Sequence, residues 1–118
     1  MWALRNRIAE WQARPEVRGV VVTHGTDTLE ESAYLCARSL DPAKPVVFTG
    51  AMRSASDLGW DGPANLLDAA RVAASPEARG YGALVTMSGR VFSARDETKA
   101  HTHMLDAFES PGLGPVGY

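Results

Sequence analysis

Three short apolar runs constrain this chain more than anything else in it: Gly19-Val20-Val21-Val22-Thr23, Pro45-Val46-Val47-Phe48-Thr49 and Ala83-Leu84-Val85-Thr86-Met87. None alternates polar with apolar residues, so each reads as a strand covered on both faces, the pattern of a parallel sheet. Helical spacing fills the intervals. Leu29, Ala33, Cys36, Ala37 and Leu40 share one helical face after the first run, and Leu66, Leu67, Ala70, Ala73 and Ala74 share one after the second. An earlier helix is predicted near 2–13, with Leu4, Ile8 and Trp11 on its apolar face and Pro15 beyond its end. Strands alternating with helices through right-handed crossovers predict an α/β fold, a three-layer parallel sheet flanked by helices. From Ser88 onward the pattern weakens. Val91 and Phe92 suggest one more short strand, and residues 95–118 read mostly as loop. With 118 residues and no internal repeat or linker, the chain reads as one folding unit.

Composition narrows the function classes. At 45% hydrophobic and 22% charged residues, the chain can bury enough surface to offset its conformational entropy. The net charge of -2 comes from interspersed signs, leaving no basic face for nucleic acid or an anionic membrane. No apolar run approaches the roughly 18 residues that span a bilayer. Cys36 has no partner for an internal disulfide and falls on a helix's apolar face, where it reads as core. Neither GxGxxG nor GxxxxGK[ST] occurs, so no nucleotide cofactor is expected. His101 and His103 alternate, but no carboxylate or cysteine at useful spacing completes a ligand set, so no metal is expected either. Met1-Trp2 opens directly on a helix-like pattern without a signal-peptide core, which points to a cytoplasmic location while leaving the periplasm open.

In a parallel α/β sheet, functional groups collect beyond the carboxyl ends of the strands. The first run delivers Thr23-His24-Gly25-Thr26-Asp27-Thr28 there, and the second delivers Thr49-Gly50-Ala51-Met52-Arg53. Gly25 permits close backbone approach, and Thr26 presents a hydroxyl where a helix begins and backbone amides are free. Asp27 and Thr28, followed by Glu30 and Glu31, also read as capping-box chemistry, so Asp27 is as readily a cap as a functional acid. A threonine hydroxyl needs a base to become a nucleophile, and an unprotonated lysine is one such base. There are two lysines against ten arginines. Lys44 falls in a turn that reads as solvated, which leaves Lys99, in Arg95-Asp96-Glu97-Thr98-Lys99, as the candidate. His24 reads as a packed or hydrogen-bonded histidine. Asp61 and Pro63 read as a helix start, and Arg53 as either a structural partner of its loop or a surface charge.

Taken in order, GVVVTHGTDTLEE at 19–31, KPVVFTGAMR at 44–53, DGPANL at 61–66 and RDETK at 95–99 resemble the bacterial-type L-asparaginase family over almost the whole chain. The resemblance implies hydrolysis of the side-chain amide of L-asparagine to aspartate and ammonia, sometimes with glutamine as a second substrate, without a cofactor. It also implies a homo-oligomer, usually a tetramer. Carried over by position, Thr26 matches the family's second threonine, Lys99 its catalytic lysine and Asp27 the acid that holds the substrate's α-amino group. Gly25 belongs to the same substrate-binding turn, and Ala51 matches a position whose backbone contacts the side-chain amide. The family's first threonine, regarded as the attacking nucleophile, lies in a TGGTI-like segment that does not occur in these residues. Residues 1–118 are therefore expected to be part of an N-terminal asparaginase-like α/β domain, incomplete at both ends and inactive when isolated.

Two other readings compete. One is a non-catalytic ligand-binding or assembly module whose helix terminus at Thr26 binds an anion. The other is the asparaginase-like subunit of a tRNA-dependent transamidase, although no tRNA-binding surface is evident.

Overall fold

The computed structural model describes residues 1–101 and 104–118. Helix α1 (Trp2–Gln12) leads into β1 (Val20–Thr23), α2 (Leu29–Ser39), β2 (Val46–Thr49) and α3 (Gly62–Ala74). A 3₁₀ turn over Pro76–Ala78 precedes β3 (Ala83–Met87) and β4 (Arg90–Ser93), and two short strands follow, β5 (Thr98–Lys99) and β6 (Phe108–Glu109). The main sheet has the order β1-β2-β3-β4, and β5 pairs with β6 apart from it. β1, β2 and β3 are mutually parallel, in a register that sets Thr23 opposite Thr49 and Val47 opposite Leu84.

The lack of alternation in the three runs has the physical cause expected of it. Val22, Phe48 and Val85 face one core with α1 and α2, while Val21 and Val47 face a second core with α3. Leu84 joins a third, smaller cluster with Ala78 and Val91. The α/β architecture and its three layers are thus as expected, but the sheet is mixed. β4 returns antiparallel to β3. The reversal is made by Ser88 and Gly89, whose φ values of 51° and 75° are those that a two-residue hairpin with the sheet's twist requires.

Two helix faces differ from expectation. On α3 the buried residues are Asn65, Ala69 and Ala73, whereas Leu66 and Leu67 are about half exposed and Ala70 and Ala74 lie outward. The helix lies close on β1 and β2, so small side chains face the sheet. A Cβ on Gly19 would stand 2.5 Å from the Ala73 carbonyl oxygen. On α1, Ile8 is buried as expected, but Trp11 faces outward under the Arg14 guanidinium, 4.1 Å from its ring centre. Gln12 takes the inward place, donating from Nε2 to the carbonyls of Lys44 (2.8 Å) and Asp41 (3.2 Å). Lys44 likewise is no free turn charge. Its Nζ donates to the carbonyls of Gln12 and Arg14, both at 2.7 Å, closing the C-terminal end of α1. The region read as loop from residue 95 carries β5 and β6, and Phe108 anchors it by full burial in the core under α2.

The α3 geometry sets a test. Ala69→Leu should overpack the α3 face and cost about 1–3 kcal/mol in chemical denaturation. Leu67→Gln, on the outward face, should change stability by no more than about 0.5 kcal/mol. Equal costs for the two would place the wrong face against the sheet.

Candidate active site

The β1–β2 register brings two loops out of the sheet side by side. The ladder continues one step past β1, with the His24 N–H donating to the Thr49 carbonyl at 2.9 Å. At that step Gly50 is indispensable: a Cβ there would lie 2.5 Å from the His24 carbonyl oxygen and 3.2 Å from Thr26 Cγ2. Below it, Thr49 Oγ1 is buried and donates to the Thr86 carbonyl at 2.7 Å, tying the ends of β2 and β3 together.

The second loop is held open by two residues whose roles are not local. Asp61 does not cap α3 through its side chain. Its carboxylate instead accepts the backbone N–H groups of Met52 (3.0 Å) and Arg53 (2.9 Å), together with Asn65 Nδ2 at 3.0 Å. Burial opposes the charge on Asp61, but these donors overcome it and hold the carboxyl below its ordinary range. Asn65, buried at the start of α3, donates to the Gly50 carbonyl (3.0 Å) and accepts from the Ser88 N–H (3.2 Å). Asn65 thus connects the loop after β2 with the turn after β3. Arg53 serves its own loop, donating to the Gly59 carbonyl at 3.3 Å. Gly25 and Ala51, with Thr23, His24, Gly50 and Trp60 among their neighbours, line an open cleft of about 400 Å³.

Thr26, Asp27 and Lys99 form a cluster at the N-terminal end of α2. Lys99 Nζ donates to Thr26 Oγ1 at 2.9 Å and to Asp27 Oδ1 at 2.6 Å. Its side chain is 12% exposed, while that of Asp27 is 89% exposed and open to an incoming ligand. The hydrogen bond from Lys99, reinforced by its charge, holds the Asp27 carboxyl below its usual range. No side-chain cap bond closes the N-terminus of α2, so Asp27 and Thr28 do not perform the capping read from their spacing. Glu30 is occupied elsewhere: its Oε2 accepts the Lys99 backbone N–H at 2.7 Å. His24 is hydrogen-bonded on both ring nitrogens, to the Gly25 carbonyl (2.7 Å) and Ser32 Oγ (3.0 Å), and packs against Phe48. Cys36 is buried, and burial pushes its thiol up to about 11, so it acts as a small apolar side chain.

Sequence reasoning passed over Glu97. It is buried, and both carboxyl oxygens lack a hydrogen-bond partner. Burial pushes its pKa up to about 8, with the charges of Glu30, Asp96 and Glu31 adding to the shift. Of the two histidines weighed as a metal pair, His103 lies outside the described residues and His101 stands 3.6 Å from Glu109. Among the described residues no three His, Cys, Asp or Glu side chains group as a metal site, and no helix is long and apolar enough to cross a membrane.

Comparison with known proteins points in one direction. The family model for the N-terminal part of asparaginase matches residues 1–118. A probable L-asparaginase of Deinococcus radiodurans is 54% identical over 98 residues, 83% of this chain and 30% of the relative. L-asparaginase 2 of Bacillus subtilis is 47% identical over 114 residues, 97% of this chain and again 30% of the relative. The crystal structure of a probable cytoplasmic L-asparaginase from Campylobacter jejuni superposes with a TM-score of 0.93 at 41% identity, covering 98% of this chain and 37% of that one. The chain therefore spans about a third of the length of the proteins it matches.

Glu97 gives this site a pH signature. Its folded-state pKa of about 8 lies above the ordinary 4.5, so its proton is retained on folding. Stability should be whole below about pH 4.5, decline above it and finish declining as pH passes about 8, by an amount on the order of a few kcal/mol. Glu97→Gln, which cannot ionise, should flatten that decline when thermal midpoints are compared between about pH 5 and about pH 8.5. An unchanged pH slope in the variant would contradict the assignment.

Proposed function

The chain belongs to the asparaginase family, and from that premise we propose that it carries part of the catalytic apparatus of an amidohydrolase that converts L-asparagine to L-aspartate and ammonia. One observation carries the reading to residue level. Lys99 Nζ lies within hydrogen-bond reach of both Thr26 Oγ1 and Asp27 Oδ1, groups 73 and 72 residues away in the chain. A hydroxyl joined to a shielded amine is the arrangement that general-base activation of an oxygen nucleophile requires.

In this mechanism an oxygen nucleophile attacks the side-chain amide carbon, and its proton passes through the Thr26 hydroxyl to Lys99. The same proton then returns to the amide nitrogen, which leaves as ammonia when the carbon–nitrogen bond breaks. Water then cleaves the ester left between the nucleophile's oxygen and the former amide carbon, giving the carboxylate and returning a proton to the nucleophile's oxygen. Asp27 binds the substrate's α-ammonium group. The exposed Asp27 carboxylate is thus shared between that cation and Lys99. The cleft at Gly25 and Ala51 receives the side-chain amide, with backbone groups as its contacts. Glutamine, longer by one methylene, is the second substrate of the same site, and assembly as a homo-oligomer belongs to the same proposal. The anion-binding alternative is disfavoured by the helix terminus itself, where Asp27, Glu30 and Glu31 would repel an anion.

Ammonia release from L-asparagine, measured on the longest polypeptide the gene encodes, tests this. Lys99→Met should lower kcat by about 10²-fold or more with little change in KM. Asp27→Ala should raise KM as well, since it removes a ground-state contact. Arg71→Met, on the outward face of α3, should alter neither. A Lys99→Met enzyme with near-normal kcat would remove the proposed base.

A further inference from the structure

Lys99 reaches the candidate site on very little structure. It lies on β5, a strand of two residues whose one partner, β6, is also two residues long, and neither joins the main sheet. A two-stranded ribbon of that size does not hold its own position in water. Phe108, fully buried opposite Lys99 in the ladder, fixes the far side of the ribbon. The near side needs a tie to α2, because α2 carries Thr26 and Asp27 at its entrance. The one backbone tie among the described residues comes from Glu30, in the first turn of α2, whose Oε2 accepts the Lys99 N–H at 2.7 Å.

We propose that Glu30 is the positioning residue for Lys99: by accepting the Lys99 backbone N–H, its carboxylate sets the distance between the lysine's amine and the Thr26 hydroxyl. The inference rests on the functional reading above and adds to it a residue that touches neither substrate nor reacting atoms.

Three features support the assignment. First, the bond is charge-assisted and short, the kind that fixes geometry. Secondly, Glu30 has no cap bond to make, since the start of α2 contains no side-chain cap. Its carboxylate is therefore committed across 69 residues of chain and not to its own helix. Thirdly, Glu30 shares a cavity of about 330 Å³ with Glu97, and Glu31, Tyr34 and Arg95 complete its polar lining. The Glu97 carboxyl has no hydrogen-bond partner there, so of the two acids it is Glu30 that accepts the Lys99 N–H.

Placement matters because proton transfer is sensitive to small displacements; a shift near 1 Å can cost about 10²-fold in rate. Glu30→Ala should therefore lower kcat roughly 10- to 100-fold with KM for asparagine little changed. Glu30→Gln retains an oxygen acceptor of the same reach and should restore most of kcat. Glu30→Asp keeps the charge but falls short by one methylene and should not, which also serves if Glu30→Ala does not fold. Glu31→Ala, one residue on with the same loss of charge, should behave as wild type.

Hydrogen exchange at the Lys99 amide, followed in the longest polypeptide the gene encodes, reads the clamp without reference to activity. Protection should be lost in Glu30→Ala and kept in Glu30→Gln and Glu31→Ala. Retained protection in Glu30→Ala, or equal impairment of Glu30→Gln and Glu30→Ala, would overturn the proposal. If the wild-type protein releases ammonia from neither asparagine nor glutamine, the functional reading falls, and exchange at Lys99 alone decides whether Glu30 positions it.

Discussion

The parallel register of β1 on β2 is the constraint from which the candidate site follows. Parallel neighbours lie about 4.8 Å apart, so strands aligned from Val20–Val46 to Thr23–Thr49 must release their loops side by side. That closeness is why a side chain at residue 50 cannot be accommodated and why the loop beyond it must be propped from elsewhere. Asp61 and Asn65 do the propping from α3. A slip of β2 by one residue would exchange the faces of Val47 and Phe48, turning the phenylalanine toward the small-residue face of α3. The two cores therefore hold the register, and the register holds the loops.

Charge is arranged on this frame by environment more than by residue type. Asp27, Glu30 and Glu97 are carboxyl side chains gathered near the start of α2 and Lys99, yet each has a different condition. Asp27 is exposed and bonded to the Lys99 amine, so it remains charged and available to a cation. Glu30 accepts a backbone amide. Glu97 is buried, its carboxyl without a partner, and keeps its proton to a higher pH. Were Glu97 charged as well, it would share one cavity with the carboxyl groups of Glu30 and Glu31, the like-charge situation that separates the pKa values of paired acids.

How much of this was legible in the sequence follows from how local each cause is. The three parallel strands could be read because burial on both faces leaves its mark directly on consecutive residues. The faces of the helices were less legible. Size suggested that Leu66 and Leu67 pack inward, but a helix lying close to a sheet selects small residues, and Ala69 joined the expected Ala73 there. Gln12 and Lys44 illustrate the same limit from the polar side, since each is satisfied by a carbonyl about thirty residues away. Gly50 could be noticed as a glycine beyond a strand, but the His24 carbonyl that demands it belongs to another loop. The grouping of Thr26, Asp27 and Lys99 was suggested by family resemblance; no spacing in the chain indicates that residue 99 returns to residue 26. Asn65, Glu30 and Glu97 carried no local signal of their roles, because each role consists of a partner, or the lack of one, far along the chain.

The site is consequently built from parts of unequal strength. Thr26 and Asp27 stand on the end of a sheet strand and the start of an eleven-residue helix, both backed by the main core. Lys99 stands on a ribbon anchored by the buried Ala107 and Phe108, by Arg90 Nη2 donating to the Asp106 and Phe108 carbonyls, by the Glu30 carboxylate and by the side-chain bonds of Lys99 itself. Local opening follows the number of buried contacts, so the ribbon is the part that can separate while the sheet remains intact. The distance between the lysine's amine and the threonine hydroxyl is thus governed by the weaker half of the structure. Because the hydrogen bonds of Lys99 to Glu30, Thr26 and Asp27 all run to carboxylate or hydroxyl groups of the α2 entrance, that entrance both supplies the partners of Lys99 and helps to keep Lys99 in place.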